Sequence, residues 1–179
     1  GCNSYPAAKP ETVEAYVGAL HREIDLVARH IDNSRQISQI HYGGGSPTSI
    51  PIPMLKELND HLLSIAPTIA SPEIAIECHP GYLSEHDWQQ LTACGFTRYS
   101  IGIQDMKEEV LKAVNRRPSL LPLQEILQIL RASGATVNFD FIYGLPLQSV
   151  DSFRKTIEQA SALRPDRLVT YSYAHLHKI

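Results

Sequence analysis

The stretch Ile37-Ser-Gln-Ile-His-Tyr-Gly-Gly-Gly-Ser-Pro-Thr48 joins a short apolar run to three consecutive glycines. The run predicts a β-strand, which the glycines at 43–45 follow directly. Glycine loses more backbone entropy on folding than any other residue, so three in a row indicate a place where another group approaches the backbone closely. Ser46 adds a hydroxyl at the same point. A flexible strand-to-helix turn is the alternative interpretation of these glycines.

Length and composition are those of an ordinary globular protein. The 179 residues are 43% hydrophobic and 20% charged, which suits a single domain with one sizeable core. The net charge is −3 and Lys and Arg are scattered, so we expect no nucleic-acid partner. No apolar run reaches the length of a membrane span, and the first residues lack a secretion-signal pattern. The sequence therefore predicts a cytoplasmic protein without a membrane partner.

Cysteine and histidine do not mark a metal site. Cys2, Cys78 and Cys94 are odd in number and lack C-x-x-C spacing. We expect Cys78 and Cys94 to be small, buried hydrophobic side chains. His175 and His177 are interpreted as part of an exposed tail, so no metal site is assigned within the chain.

Helical and extended patterns alternate along the sequence. Apolar residues at intervals of three to four predict helices, and the stretches between them predict strands. Five strands separated by helices favour parallel pairing through right-handed crossovers, as in an open α/β sheet or a barrel. The predicted strands are Ile37–Tyr42, Glu73–Cys78, Arg98–Gln104, Val137–Tyr143 and Arg167–Tyr173.

Polar residues and glycines recur in or at the ends of the predicted strands. In a parallel α/β array the carboxyl ends of the strands converge on one face, where ligands bind, so these residues together predict a pocket. Each also has a structural alternative: Glu77 as a solvated strand end and Asp140 as a hydrogen bond at a strand end. The residues are the glycines at 43–45, Glu77, Gln104 with Asp105, and Asp140 with Gly144.

Six motifs stand in a fixed order along the chain. They are Tyr-Gly-Gly-Gly-Ser-Pro-Thr (42–48), Ala-Ile-Glu-Cys-His-Pro (75–80), Tyr-Ser-Ile-Gly-Ile-Gln-Asp (99–105), Val-Asn-Arg (114–116), Asp-Phe-Ile-Tyr-Gly-Leu-Pro (140–146) and Pro-Asp-Arg-Leu…Tyr-Ala-His-Leu (165–176). In this order they resemble the radical S-adenosylmethionine (SAM) superfamily and, within it, the oxygen-independent coproporphyrinogen III oxidase (dehydrogenase) family. The resemblance covers essentially the whole chain. It implies a partial parallel (β/α) barrel of α/β class, with five strands in a single domain fragment at residues 1–179.

The resemblance also implies two SAM sites. Gly44, Gly45 and Glu77 would hold the methionine part of one SAM, since a carboxylate suits an ammonium group. Arg116 suits a carboxylate because its guanidinium binds two oxygens at once, although a helix-end salt bridge is its structural alternative. The second SAM would contact Gly45, Ser46, Gln104, Arg116, Asp140 and Ala174. Ser46 replaces the family's usual threonine, and His79 stands where an aspartate is common.

The family holds a [4Fe–4S] cluster through C-x-x-x-C-x-x-C. By the resemblance, these ligands are expected immediately upstream of Gly1, with Cys2 as an extra cysteine two places after the third ligand. The three cysteines of this motif, whose thiolates would hold the cluster, are not found in this sequence. We therefore expect a fragment of a larger protein, without the parent's first strand and C-terminal part, that is inactive when purified alone.

For the parent protein the resemblance implies oxidative decarboxylation in haem biosynthesis. SAM would be cleaved reductively at the cluster, with electrons from a donor protein, to a 5′-deoxyadenosyl radical. The radical would take hydrogen from a propionate of coproporphyrinogen III, and loss of carbon dioxide and one electron would leave a vinyl group. Two such conversions give protoporphyrinogen IX.

Two alternatives stay open at this point. A haem chaperone of the same superfamily would bind haem without decarboxylation, although Cys2 and the Tyr-Ala-His-Leu stretch favour the oxidase. A barrel enzyme that binds phosphate at the glycines is the third possibility, but no lysine stands out as its catalytic residue.

Overall fold

The computed structural model describes residues 9–32 and 34–174, which form six helices and five strands. The predictions made for Cys2, His175 and His177 lie outside these residues. The strands are β1 (Ile37–Tyr42), β2 (Thr68–Cys78), β3 (Arg98–Gln104), β4 (Thr136–Tyr143) and β5 (Arg167–Ser172). The helices are α1 (Pro10–Ala28), α2 (Ile52–Ser64), α3 (Glu85–Thr92), α4 (Glu108–Ala113), α5 (Leu123–Ala132) and α6 (Val150–Ala162).

All five strands pair in parallel and in sequential order, from β1 at one edge to β5 at the other. The sheet curls into a half-barrel, which confirms the predicted α/β class and partial barrel. β2 begins at Thr68 rather than at the predicted Glu73. Ser71-Pro72 does not favour a strand, and the sheet accommodates this part of β2 through a register shift opposite Ile37 and Gln39.

The hydrophobic core lies between the sheet and its helices. Along β3, Tyr99, Ile101 and Ile103 are buried, whereas the intervening residues are half-buried on the opposite face. Trp88 of α3 and Leu127 of α5 belong to the same buried cluster. Each fully buried large apolar side chain of this kind contributes about 1.5–3 kcal/mol of stability. One face of the sheet is therefore committed to the core, and polar residues occupy the other, concave face.

Two local predictions are confirmed. Ser84 and Asp87 form a capping box at the start of α3: the Asp87 N–H donates to the Ser84 hydroxyl at 3.3 Å, and the Ser84 N–H donates to the Asp87 carboxylate at 2.8 Å. Cys78 and Cys94 are buried free thiols. In the described part of the chain, no helix is long and apolar enough to cross a membrane.

Candidate functional site

The residues predicted to form a site lie toward the carboxyl ends of the parallel strands. The glycines at 43–45 directly follow β1, and Glu77 is the second-last residue of β2. Gln104 is the last residue of β3, and Ala174 lies two residues beyond β5. Asp140 sits deeper, within β4, where it pairs in register with Gly102. The sequential parallel order thus brings these positions to one end and one concave face of the sheet.

Glu77 is paired with a histidine that the sequence did not single out. The His41 Nε2 lies 3.1 Å from the Glu77 Oε1, and the two side chains are 51% and 42% exposed. A Cβ built on Gly43 would lie 2.7 Å from His41 Nε2 and 2.9 Å from Glu77 Oε1. The backbone after β1 therefore lies against the carboxylate of β2, which satisfies the close approach predicted from the glycines.

The next two glycines leave open space. A Cβ on Gly44 or Gly45 would meet no heavy atom within 4 Å, and Gly44 has φ +112°, a backbone conformation that other residues rarely adopt. Ser46 is half-buried and precedes the 3-10 turn at Pro47–Ser49. Backbone groups of this segment are accordingly accessible to a ligand at the end of β1.

Gln104 and Arg116 meet over Gly102. The Arg116 Nη2 donates to the carbonyl oxygen of Gly102. A Cβ on Gly102 would lie 2.8 Å from that Nη2 and 2.9 Å from the Gln104 Nε2, so the missing side chain makes room for both. Among the described residues Arg116 contacts this backbone carbonyl and forms no ion pair, so the structure gives no support to the alternative of a helix-end salt bridge. Burial lowers the pKa of the Arg116 guanidinium.

Three buried acceptors on this face lack a partner among the described residues: the Gln104 Oε1, the Asn138 Oδ1 and the Asp140 Oδ1. Of these, Gln104 and Asp140 are predicted site residues. The second Asp140 oxygen, Oδ2, accepts from the Ser100 hydroxyl at 2.7 Å. Burial raises the pKa of Asp140, and the Ser100 hydrogen bond partly offsets that effect. A buried acceptor left unpaired costs about 1–3 kcal/mol, so the free oxygens of Gln104 and Asp140 are suited to a ligand that carries donors.

A cleft of about 260 Å³ opens beside Gln104 and Arg116. His79 contributes to it, and burial together with the charges of Arg116 and Arg117 lowers the pKa of His79 to about 4. The histidine is therefore neutral at pH 7, and the guanidinium of Arg116 gives the cleft a positive charge. The remaining lining residues are Val114, Asn115, Ile142, Leu145 and Tyr173. Of the predicted site residues, only Gln104 and Arg116 line this cleft.

The opposite end of the concave face is polar and mostly paired, although the Arg98 Nε lacks a partner among the described residues. There the Glu73 Oε1 accepts from the Gln39 Nε2 at 2.6 Å and from the Arg98 Nη2 at 3.0 Å. The hydrogen bond from Gln39, assisted by Arg98, lowers the pKa of Glu73. The unpaired oxygen of Gln104, together with the cleft beside it, marks the carboxyl ends of the strands as the candidate binding region.

Comparison with known proteins decides the family. Residues 7–160 match the Radical SAM superfamily. The chain belongs to this superfamily. Other radical SAM proteins share the fold at low identity: a radical SAM methyltransferase from Kitasatospora setae gives a TM-score of 0.64 at 14% identity, over 92% of this chain and 29% of that one.

Several relatives of this chain carry the same name. The chain is 35% identical over 177 residues to the oxygen-independent coproporphyrinogen III oxidase of Helicobacter pylori strain J99, and the match covers 98% of this chain and 39% of the relative. It is 39% identical over 167 residues to the Pseudomonas aeruginosa protein of the same name, covering 90% and 36%. The chain spans about two fifths of the length of these relatives.

A solved structure is similar over nearly the whole of this radical SAM chain. It is that of the radical SAM enzyme coproporphyrinogen III oxidase from Escherichia coli, with a TM-score of 0.89 and 36% identity. The match covers 98% of this chain and 41% of that one. The described parts of the six motifs therefore lie in a chain segment whose fold is shared with a relative of that name.

In residues 9–32 and 34–174 of the chain, no three His, Cys, Asp or Glu side chains lie close enough together to hold a metal ion. Cys78 ends β2, and Cys94 follows α3. Burial raises the pKa of both thiols. Thiolates are the ligands of iron–sulfur clusters, so these two buried cysteines do not fit a cluster.

Sequence reasoning missed His41 and Ser100. Both could have been found from strand alternation, because His41 lies on the same face of β1 as Gln39, and Ser100 pairs in register with Asn138 beside Asp140. Sequence reasoning also placed Asp105 among the pocket residues. The structure instead buries Asp105 in a hydrogen-bond network behind the cleft.

Proposed function

We propose that the chain is the SAM-binding part of an oxygen-independent coproporphyrinogen III oxidase. The proposed reaction of the whole protein is conversion of two propionates of coproporphyrinogen III to vinyl groups in haem biosynthesis. Support comes from relatives of that name at 35–39% identity and from the similar solved structure. None of these relatives supports the alternative of a haem chaperone. Since the chain covers only part of each relative, the activity belongs to the proposal.

Two of the unpartnered buried oxygens, together with Arg116, carry this proposal. The Gln104 Oε1 and the Asp140 Oδ1 require donors, and the cationic Arg116 lies next to Gln104. SAM offers an ammonium group and ribose hydroxyls as donors, and a carboxylate for the guanidinium. The donor and acceptor inventory of this face therefore fits SAM.

The remaining binding roles rest on placement. We propose that the backbone carbonyls of Gly44 and Gly45 and the carboxylate of Glu77 hold the ammonium group of one SAM. The glycine segment and Glu77 lie together because Gly43 contacts the His41–Glu77 pair. A second SAM would be held by Gly45, Ser46, Gln104, Arg116, Asp140 and the backbone of Ala174.

The proposed [4Fe–4S] cluster would take its ligands from cysteines upstream of Gly1, because the buried Cys78 and Cys94 do not fit it. When bound, cluster and SAM together would supply the hydrogen-abstracting chemistry of the superfamily. The residues of this chain would bind and orient SAM, exclude water and hold charge. No side chain here needs to act as a general base, since hydrogen is removed as an atom.

Partners and compartment follow from the same chemistry. The reaction needs coproporphyrinogen III as substrate and an electron-donor protein, because SAM must be cleaved reductively. We propose a cytoplasmic location, where thiols stay reduced, and the free Cys78 and Cys94 are compatible with that environment.

The test uses the intact protein, reconstituted anaerobically with iron and sulfide. Calorimetric titration should show SAM binding that Arg116→Ala weakens by about 1.5–3 kcal/mol, the scale of a hydrogen bond to a charged group. Arg117→Ala is the matched control: Arg117 stacks over Tyr82 at 4.9 Å and does not line the cleft, so its variant should bind normally.

A substrate assay separates the two candidate functions. Conversion of coproporphyrinogen III to protoporphyrinogen IX is expected in the reconstituted protein. Haem binding without conversion would favour the chaperone. Absence of SAM binding, with the cluster intact, would refute the proposed role of this chain.

A further inference from the structure

A buried carboxylate lies directly behind Gln104. Asp105 is only 1% exposed. Its Oδ1 accepts from the backbone N–H of Lys107 at 2.8 Å and from the Thr156 hydroxyl at 3.1 Å, and its Oδ2 accepts from the Gln148 Nε2 at 2.6 Å. A buried charge is costly unless such donors surround it. Asp105 therefore joins the segment after β3 to α6 and to the segment after β4.

Gln148 extends this network to the loop after β4. Its Nε2 also donates to the carbonyl of Ile142 at 3.0 Å, and its Oε1 accepts from the backbone N–H groups of Gly144 and Leu145 at 2.7 and 3.3 Å. Gly144 has φ +83°, so the chain turns sharply there. One amide side chain thus fixes the turn, and both Leu145 of the turn and Ile142 near the end of β4 line the cleft.

Gln104, the residue before Asp105, has an unusual backbone conformation. Its φ is +69°, which is rare for a residue with a side chain, and the next N–H, of Asp105, donates to the carbonyl of Ile103 at 3.0 Å. A strained conformation of this kind persists only where neighbouring contacts fix it. Asp105 is anchored on both carboxylate oxygens, so it holds the residue before it in this conformation.

We propose that Asp105 and Gln148 form a positioning pair for ligand binding. The pair fixes the left-handed backbone of Gln104 and the turn at Gly144, and so places the amide oxygen of Gln104 and the wall at Leu145 around the ligand. Neither member of the pair touches the ligand itself. The inference rests on the proposed function only in naming SAM as that ligand.

The main test compares two substitutions in the same network, in the intact reconstituted protein. Gln148→Leu removes the link between the two loops. Thr156→Val, the matched control, removes one donor to the same carboxylate but leaves that link in place. Hydrogen exchange of the peptide covering 142–148 should accelerate about tenfold or more in Gln148→Leu, and stay within about twofold of wild type in Thr156→Val. SAM affinity by calorimetry should weaken about tenfold in the first variant only.

A reciprocal exchange guards against simple misfolding. In Asp105→Asn, the new side-chain N–H group faces the Gln148 Nε2, which is also a donor, so the hydrogen bond between the two residues is lost. SAM affinity should therefore fall. Adding Gln148→Glu reverses the direction of that hydrogen bond and retains an acceptor for Gly144, so affinity should recover at least about threefold. Recovery is incomplete because the bond to the Ile142 carbonyl is lost.

The outcomes separate this inference from the proposed function. Equal loss of SAM affinity in Gln148→Leu and Thr156→Val, or unchanged exchange in Gln148→Leu, would overturn the positioning pair. A double variant that binds no better than Asp105→Asn would do the same. Unchanged SAM affinity in Gln104→Ala would instead overturn the ligand role given to Gln104, while the exchange measurement still reports on the pair.

Discussion

The imidazole of His41 holds one oxygen of the Glu77 carboxylate, with 3.1 Å between His41 Nε2 and Glu77 Oε1. The two residues come from adjacent strands, and His41 pairs in register with Ala75, two residues before Glu77. Among the described hydrogen bonds this contact reaches only Oε1. The arrangement places the carboxylate against Gly43, and the second oxygen is the one that we propose for the ammonium group of SAM.

Replacing Glu77 by glutamine should weaken SAM binding by about 1.5–3 kcal/mol, because a charge-assisted hydrogen bond becomes a neutral one. Calorimetry on the intact reconstituted protein measures the change. Glu73→Gln is the matched control, since Glu73 lies four residues earlier on the same face of β2 and is paired with Arg98. An equal loss of affinity in both variants would mean that net charge, rather than the position of Glu77, matters.

The sequence predicted the order of the elements well because helical and extended patterns alternate and strong turn signals separate them. β1 and β3 have the predicted bounds. The start of β2 was wrong because Pro72 reads as a strand breaker, whereas pairing with Ile37 across a register shift holds Thr68 in the sheet. That compensation comes from the neighbouring strand, which local patterns do not reveal.

Within the candidate site, sequence predicted positions better than contacts. The parallel order explains why Glu77 and Gln104 lie at the same end of the sheet. The contact between Arg116 and the Gly102 carbonyl depends on how α4 and the following loop pack, which no periodicity specifies. The network of Asp105 likewise needed the structure, because Gln148 and Thr156 are more than forty residues away in sequence.

Replacing Gly102 by alanine should disrupt ligand binding with little loss of stability. The added Cβ would come within 3.0 Å of only the ends of two flexible side chains, Arg116 and Gln104, and would displace both. SAM affinity should fall by about 1.5 kcal/mol or more, which calorimetry measures. Gly18→Ala serves as the control substitution in α1, where the nearest atom is 3.6 Å away and stability should rise by about 0.5–1 kcal/mol. Normal SAM binding by the Gly102 variant would argue against a ligand at Arg116 and Gln104.

His79 should make stability depend on pH between about 6.5 and about 4. Its folded pKa of about 4 lies below the ordinary value of 6.5, because burial and the charges of Arg116 and Arg117 disfavour the imidazolium. The unfolded chain therefore binds the extra proton more readily, so the stabilisation is complete above pH 6.5 and is lost as pH falls toward 4. Since the ring is only half-buried, we expect a loss of about 1–2 kcal/mol.

Urea unfolding across this pH range measures the effect of His79. The variant His79→Gln, which has no titrating group, should flatten the slope between pH 6.5 and 4. His86→Gln is the control, because His86 lies in the first turn of α3, away from the cleft. An unchanged slope in the His79 variant would assign the pH dependence to other groups.

The 179-residue chain, purified alone, is expected not to assemble a [4Fe–4S] cluster. Thiolates are the ligands that such a cluster needs, and burial raises the pKa of Cys78 and of Cys94, which lie on separate elements. Anaerobic treatment with iron and sulfide should therefore give no stable cluster in optical or electron-spin spectra, and a deoxyadenosine assay should detect no SAM cleavage. In the intact protein, Cys78→Ala and Cys94→Ala should leave the iron content unchanged. A stable cluster signal in the 179-residue chain that either substitution abolishes would instead make that cysteine a ligand and overturn the proposal that the ligands lie upstream of Gly1.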